Sequence, residues 1–115
     1  MDAQNLSLMK EKLTILQELK QLLQDRFNDD IQDVILFGSQ VTGEAHQDSD
    51  YDVLVVLNCQ PDWKYKKAVR YACYDIALQY DIFLDVKVIS EYELQHTIQG
   101  KYPLFLQAIE QGVFA

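Results

Sequence analysis

Apolar residues in the first part of the chain recur three or four positions apart. They are Leu6, Met9, Leu13, Leu16, Leu19, Leu23 and Phe27. Residues at this spacing share one face of a helix, so the pattern predicts a long amphipathic helix over residues 5–27, followed by a turn at residues 28–30. Heptad pairing with a second chain is the alternative, but so short a repeat favours packing on a sheet of the same domain.

Three stretches further along the chain have the pattern of β-strands. Residues 34–37 and 53–57 are continuous apolar runs, as expected for strands that are covered on both faces. Residues 82–89 alternate instead, and this alternation places Asp85 and Lys87 on the same side of the predicted strand.

Between the second and third predicted strands, apolar and aromatic residues recur at helical spacing, which predicts a helix over residues 63–80. These residues form a stripe along one face of the helix. The stripe consists of Tyr65, Val69, Ala72, Cys73, Ile76 and Tyr80. The outer face of this helix carries a basic cluster, made of Lys64, Lys66, Lys67 and Arg70. Such a cluster is either a solvated helix face or a patch that steers an anionic substrate or partner.

The C-terminal quarter predicts two more helices. Ser90 and Glu93 have the spacing of a capping box at the start of a short helix, about residues 91–98, which Gly100 is expected to stop. Pro103 marks the beginning of a last helix.

Composition places the chain among globular proteins. It has 115 residues, 49% of them hydrophobic and 24% charged, which is enough for one domain with its own core. The net charge of −8 argues against a general nucleic-acid-binding or membrane-binding surface. Cys59 and Cys73 are too few for a disulfide scaffold or a zinc site. With no bilayer-length apolar run and no signal-peptide pattern at the N-terminus, a cytoplasmic location is expected.

Negative charge is concentrated between residues 27 and 63. This segment contains eight acidic residues and no Lys or Arg. A phosphate ligand could therefore approach it only through a bound cation or through bare backbone N–H groups.

Two of these acidic residues, Asp50 and Asp52, stand at the start of the second predicted strand. Residues two apart in a strand point to the same side, and two carboxylates that close repel each other unless a cation lies between them. Asp85 adds a third carboxylate from another strand, where burial is costly without a partner or a metal. Three such groups can hold one or two Mg²⁺ ions, and a pair of ions can clamp an in-line phosphoryl displacement.

Other interpretations of these carboxylates remain open. Asp50 and Asp52 could cap a turn before the strand, and Asp85 could form a structural salt bridge with Lys87. Asp81 would lie on the same side of the strand as Asp85, so alternation cannot choose between them as the third carboxylate. We prefer Asp85 because it lies inside the predicted strand, whereas Asp81 lies at its edge.

The turn at Gly38 and Ser39 offers a second kind of binding group. Its backbone N–H groups and the serine hydroxyl suit a triphosphate, although Ser39 could also serve as a helix N-cap. Because no Gly-Lys-Ser/Thr and no G-x-G-x-x-G follow, this is not a Walker or dinucleotide loop. His46 and His96 are assigned to no site.

The order of these motifs resembles a known family. The chain reads F-G-S-x-x-x-G, ending at Gly43, then S-D-x-D, then a strand with a third Asp. This is similar to the polymerase-β-like nucleotidyltransferase superfamily, and the short length resembles its minimal nucleotidyltransferase (MNT) group. The resemblance runs from about Ile31 to the final EQGVF segment.

The resemblance implies a role for each motif residue. Gly38 and Ser39 would hold nucleotide phosphates, Asp50 and Asp52 would bind metal, and Asp85 would bind metal or act as base on the acceptor hydroxyl. One departure concerns Gln40-Val41-Thr42, which occupies the place where family members often carry a basic residue.

The expected fold is α/β (α+β): a small mixed sheet with helices packed mainly on one face and the carboxylates on the other. A single domain would comprise an N-terminal helix at 1–28, a catalytic core at 31–90 and C-terminal helices at 91–115.

The expected function is metal-dependent transfer of AMP from ATP to a hydroxyl, with Mg²⁺ or Mn²⁺ as cofactor. By resemblance, MNT proteins often act as antitoxins that adenylylate a tyrosine of a HEPN-type ribonuclease toxin. The partner surface is expected around Tyr102, Phe105 and Leu106, which are equally typical of core positions. The alternatives are a binding module that neutralises its partner by contact, and a small-molecule nucleotidyltransferase of the antibiotic-modifying kind.

Overall fold

Two long helices cover one face of a four-stranded sheet. The structure is a computed structural model that describes residues 3–43 and 50–115, with side chains from residue 9 onward. Four residues considered from the sequence have side chains that are not among those described: Leu6, Glu44, His46 and Asp48. Among the described residues, no helix has the length and apolar character needed to span a membrane.

Helix α1, Ala3–Phe27, matches the predicted N-terminal helix. Leu16, Leu19 and Leu23 are buried together with residues of the sheet. The apolar face of α1 is thus covered by the same chain, as the shortness of its repeat predicts. A 3-10 turn, Asn28–Asp30, leads from α1 into the sheet.

The sheet is mixed, as predicted. Its strands are β1 (Ile31–Phe37), β2 (Tyr51–Leu57), β3 (Leu84–Ser90) and β4 (Val113–Phe114), in the order β3-β2-β1-β4. Strand β1 pairs antiparallel with β2 and β4, whereas β2 and β3 are parallel. A parallel pair needs a crossover connection, and helix α3, Trp63–Tyr80, provides it.

Helix α3 has the predicted bounds and the predicted buried stripe. Asp62 caps its N-terminus by accepting a hydrogen bond from Tyr65 N at 2.8 Å. The stripe packs with α1 over the sheet. Its buried members are Val69, Ala72, Cys73 and Ile76.

The opposite face of the sheet is covered in part by α5, Pro103–Gln111. Ala108 of α5 is buried in a second cluster with Ile35, Leu54 and Ile89. Alternation places Asp52 and Asp85 on this same face, two and four residues before Leu54 and Ile89. The carboxylates therefore lie on the side away from α1 and α3, as predicted.

The C-terminal region differs from the prediction in two details. Helix α4, Glu91–His96, has the expected capping box but ends before Gly100, because Thr97 is already extended. Gly100 lies in a 3-10 turn, where a Cβ would stand 1.8 Å from Leu94 O. Glycine is required there by close packing, and it does not stop α4.

Strand β4 was not predicted, so the segment 91–115 does not consist of helices alone. Its two residues pair with Ile35 and Leu36 of β1. Two residues are too few to display an alternating pattern, and the pairing depends on contact with a strand far away in the sequence.

Candidate active site

Three chain segments meet at one end of the sheet. Since β1 runs antiparallel to β2 and β2 runs parallel to β3, the end of β1 lies beside the beginnings of the other two strands. Phe37 is opposite Asp52 in one pair, and Asp52 is opposite Asp85 in the other. The register thus brings together the turn that follows β1 and two of the three predicted carboxylates.

Gly38 brings the turn against the second carboxylate. Its backbone has φ 76° and ψ −151°, a conformation that disfavours residues with a Cβ. A Cβ at this position would lie 2.4 Å from Asp52 Oδ2. Gly38 is therefore required both by its left-handed φ and by close approach to Asp52.

A one-turn helix, α2, covers Ser39–Thr42 and follows directly. The N–H groups of Val41 and Thr42 donate to Gly38 O at 3.0 and 3.1 Å. Gly38 is the N-cap residue, so Ser39 takes the first helical position. The alternative that Ser39 is the N-cap is wrong.

Electrostatic crowding centres on Asp52. Burial raises the pKa of the Asp52 carboxyl above its usual range, and the negative charges of Asp85 and Asp50 raise the pKa further, while Lys87 acts in the opposite direction. Asp50 and Asp85 are thus both near enough to affect Asp52, and a cation beside Asp52 would relieve the repulsion. Asp50 itself is exposed and lies immediately before β2.

Asp85 forms the ion pair that the sequence offered as an alternative. Lys87 Nζ lies 2.9 Å from Asp85 Oδ1, and the two side chains are 42% and 44% exposed. An ion pair this exposed contributes at most about 1 kcal/mol. The pair therefore does not prevent Asp85 from exchanging Lys87 for another cation.

Asp81 lies elsewhere. It is the C-cap of α3, with φ 53° in the left-handed region, and its N–H donates to Ala77 O. Asp85, in contrast, is inside β3 and adjacent to Asp52. The placement favours Asp85 as the third carboxylate.

The donor chemistry of the site fits a hard divalent cation. Asp50, Asp52 and Asp85 would supply only carboxylate oxygens, which Mg²⁺ and Mn²⁺ prefer. Within residues 3–43 and 50–115, however, no three His, Cys, Asp or Glu side chains are already arranged as a metal site. Since Lys87 holds the carboxylate of Asp85, the ammonium group and a metal ion would compete for it.

The basic cluster of α3 is engaged by the chain itself. Lys66 pairs with Glu93 at 2.8 Å, and Arg70 Nε donates to Val86 O at 3.3 Å. Lys64 and Lys67 lie over the rings of Trp63 and Tyr71. These contacts favour a structural role over substrate steering.

Two lysine side chains near the site, Lys87 and Lys12, were assigned no functional role from the sequence. Alternation along β3 already places Lys87 beside Asp85, and that signal could have identified it. Lys12 of α1 donates to Gln40 O in α2 at 3.0 Å, across 28 positions of sequence. No local pattern reports so distant a contact.

A substitution series at the turn separates backbone strain from the contact with Asp52. Gly38→Ala is expected to weaken binding of Mg²⁺–ATP strongly, because the new Cβ meets Asp52. Gly43→Ala is the matched control: Gly43 also has a positive φ, 83°, but no atom of the described residues lies within 4 Å of the position that its Cβ would take. Ser39→Ala should cost about 0.5–1.5 kcal/mol, the contribution of one hydrogen bond.

The series is measured by calorimetric titration with ATP, and thermal melting verifies folding. Equal and small losses of affinity for Gly38→Ala, Gly43→Ala and Ser39→Ala would mean that the turn has only a structural role.

Comparison with known proteins identifies the family of the chain. Residues 15–103 match the family model of the nucleotidyltransferase domain. A relative from Methanocaldococcus jannaschii, MJ0141, provisionally named a protein adenylyltransferase, is 32% identical over 74 residues, which make up 64% of this chain and 75% of the relative.

Solved structures share the fold. A toxin–antitoxin structure with AMP-PNP is 26% identical, with a TM-score of 0.54, over 82% of this chain and 66% of that one. A nucleotidyltransferase, provisionally so named, from Sulfolobus solfataricus is 17% identical, with a TM-score of 0.59, over 99% and 87%. The MntA–HepT toxin–antitoxin structure is 20% identical, with a TM-score of 0.55, over 89% and 69%.

The last two likenesses concern the fold alone. The family model is more specific, because its match spans most of the chain, from residue 15 to residue 103. By this match, the chain belongs to the nucleotidyltransferase domain family.

Proposed function

We propose that this protein transfers AMP from ATP to a hydroxyl group of a partner protein with the help of a divalent metal ion. The observation that carries the proposal is the row formed by the Gly38 turn, Asp52 and Asp85 across three neighbouring strands. The adenylyltransferase name of the relative and the AMP-PNP in a structural neighbour support ATP as the nucleotide.

Each group has a place in the reaction. The N–H groups at the start of α2 and the Ser39 hydroxyl receive the phosphates. Asp50, Asp52 and Asp85 would hold Mg²⁺ or Mn²⁺, which when bound neutralises charge that develops on the phosphate. The chain thus provides a phosphate-binding turn and a cation-binding set of carboxylates on one side of the sheet.

We propose that Asp85 accepts the proton of the acceptor hydroxyl. The acceptor oxygen forms a bond to the α-phosphorus while the bond from that phosphorus to the pyrophosphate oxygen breaks, and the proton passes to the Asp85 carboxylate. A tyrosine acceptor needs such help, since its unperturbed pKa is about 10. The products are the AMP-bearing acceptor and pyrophosphate.

The partner we propose is a HEPN-type ribonuclease toxin that is modified on a tyrosine, with this protein as its antitoxin. The structural neighbour that is 26% identical is a toxin–antitoxin structure, which supports a partner of this class. The motif resemblance to MNT proteins supports the HEPN type. The cytoplasmic location expected from the sequence stays a prediction.

The partner surface we propose lies on α5 and beside it. Tyr102, the N-cap of α5, and Leu106 are 50% and 46% exposed, and Leu106 lines one groove together with Ile109 and Phe114. Phe105, which the sequence also placed there, is partly buried against the second core cluster. An exposed apolar patch of this kind is typical of an interaction site.

The decisive experiment is to incubate the protein with the candidate partner and labelled ATP, then to locate the label by mass spectrometry. We expect AMP on a tyrosine of the partner and loss of the partner's ribonuclease activity. Label on neither protein, although the partner is silenced, would exclude AMP transfer as the function.

The partner surface is tested in the same assay. Leu106→Glu should reduce capture of the partner and label transfer together. Leu78→Glu is the control, because Leu78 of α3 is 82% exposed but lies on a different helix. Equal effects of both variants would place the partner elsewhere.

A second candidate is a binding module that silences its partner by contact alone. The ion pair of Asp85 with Lys87 favours it, since one of the three carboxylates already has a cation. The departure at Gln40-Val41-Thr42 points the same way. A binding module would silence its partner without ATP, whereas the enzyme would need ATP to do so.

A further inference from the structure

The turn that receives the phosphates in the proposed function has no positive charge of its own. No Lys or Arg occurs between residues 27 and 63, and the family's usual basic position after Gly-Ser is taken up by Gln40-Val41-Thr42. A nucleotide triphosphate would therefore meet a turn that lies against the carboxylate of Asp52. The tertiary structure supplies a cation from another part of the chain.

That cation is Lys12. Its side chain is half-buried on α1, and its ammonium donates to Gln40 O at 3.0 Å. Val41, the next residue, packs against the core cluster that includes Ile15 and Leu16 of α1. Helix α1 is thus joined to the turn by a hydrogen bond, and both segments contribute to the same apolar core.

The contact has a clear chemical reason. The last carbonyl groups of a helix lack partners within it, and α2 is a single turn long. Gly38 O and Ser39 O accept hydrogen bonds from within the turn, whereas Gln40 O accepts from Lys12. A cation at the C-terminal end of a helix also interacts favourably with the helix dipole.

We propose that Lys12 is a positioning residue for nucleotide binding: its contact with Gln40 O holds the Gly-Ser turn in the shape that receives the phosphates. This inference rests on the proposed function. Lys12 acts through the turn, so its loss should affect binding of ATP more than the chemical step.

The chain offers a matched control. Lys20 lies on the same helix and makes the same type of contact, donating to Ala115 O at 3.0 Å, but it is remote in sequence and contact from the Gly-Ser turn. Lys12→Met and Lys20→Met therefore remove the same group from the same helix, and only the first removes it from the turn.

The experiment measures Kd for ATP in the presence of Mg²⁺ by calorimetry, and kcat and KM for AMP transfer to the partner. We expect Lys12→Met to raise Kd and KM about tenfold, corresponding to about 1.4 kcal/mol, with kcat changed less than about twofold. Lys12→Arg should restore binding, because it keeps the charge and the donor. Lys20→Met should bind ATP like the parent.

Several outcomes would overturn the inference. They are an unchanged Kd in Lys12→Met, equal losses in both Met variants, or failure of Lys12→Arg to restore binding. If Lys12→Met does not fold, Lys12→Gln keeps a donor without charge and takes its place in the comparison. A parent that binds no ATP refutes the proposed function, whereas a parent and a Lys12→Met variant that bind ATP equally refute only the role of Lys12.

Discussion

Replacing Asp85 with asparagine is expected to reduce AMP transfer about 10²- to 10⁴-fold, the usual contribution of a general base, while much of the ATP binding remains. Asn is nearly the same size as Asp but cannot accept the proton of an acceptor hydroxyl. Asp52, on the adjacent strand, keeps its place against the Gly38 turn, so the part of the site that we propose to bind the phosphates is preserved.

The ion pair provides a matched control for this variant. Asp85→Asn and Lys87→Met both remove the ion pair between Lys87 and Asp85, but only the first removes the carboxylate. If the carboxylate performs catalysis, Lys87→Met should retain most of the AMP transfer. If the ion pair matters only for structure, both variants should lose transfer and thermal stability alike.

Transfer is measured with labelled ATP and the partner, and partner silencing is assayed in parallel. Should the parent, Asp85→Asn and Lys87→Met all silence the partner equally with no label transferred, catalysis is not the function and contact alone accounts for the silencing.

The second large effect concerns the metal. Asp50→Asn combined with Asp52→Asn is expected to weaken binding of Mg²⁺ or Mn²⁺ by more than about 100-fold, since even loss of a group outside the coordination shell costs about 10- to 100-fold. ATP binding should fall with it. The pKa of Asp52 is raised by burial, Asp85 and Asp50, which indicates crowding of the charges that a cation would neutralise.

The same double variant should fold at least as well as the parent without metal. Removing two crowded negative charges relieves repulsion, so the melting temperature should stay equal or rise. Asp29→Asn with Asp33→Asn is the control, because it makes the same charge change in the same acidic segment near the other end of β1. Metal binding in calorimetry that is equal for both double variants would show that the site is placed wrongly.

Much of the local structure could be predicted from the sequence because it depends on neighbours along the chain. The helical stripe of α3 and the capping box at Ser90 and Glu93 are patterns within a few residues. The alternation in β3 likewise predicts that Asp85 and Lys87 share a face, although it cannot decide between ion pair and metal ligand. The motif order from Gly38 to Asp85 indicates the family without any information on contacts.

Contacts between distant segments were decided by the tertiary structure alone. Strand β4 has two residues and exists as a strand because β1 offers it an edge. Gly100 is required by Leu94 O, which no spacing rule reports. The approach of Gly38 to Asp52 and the alignment of Asp52 with Asp85 depend on strand register.

Lys12 is the clearest example of a contact that cannot be predicted from the sequence. Its contact with Gln40 O joins residues 28 positions apart, and nothing in the sequence around either residue predicts it. The candidate residues of the site could be chosen from the sequence, because residue type and local spacing define charge, turn and strand. The tertiary structure decided which of them meet, because register and helix packing bring together groups that the chain keeps far apart.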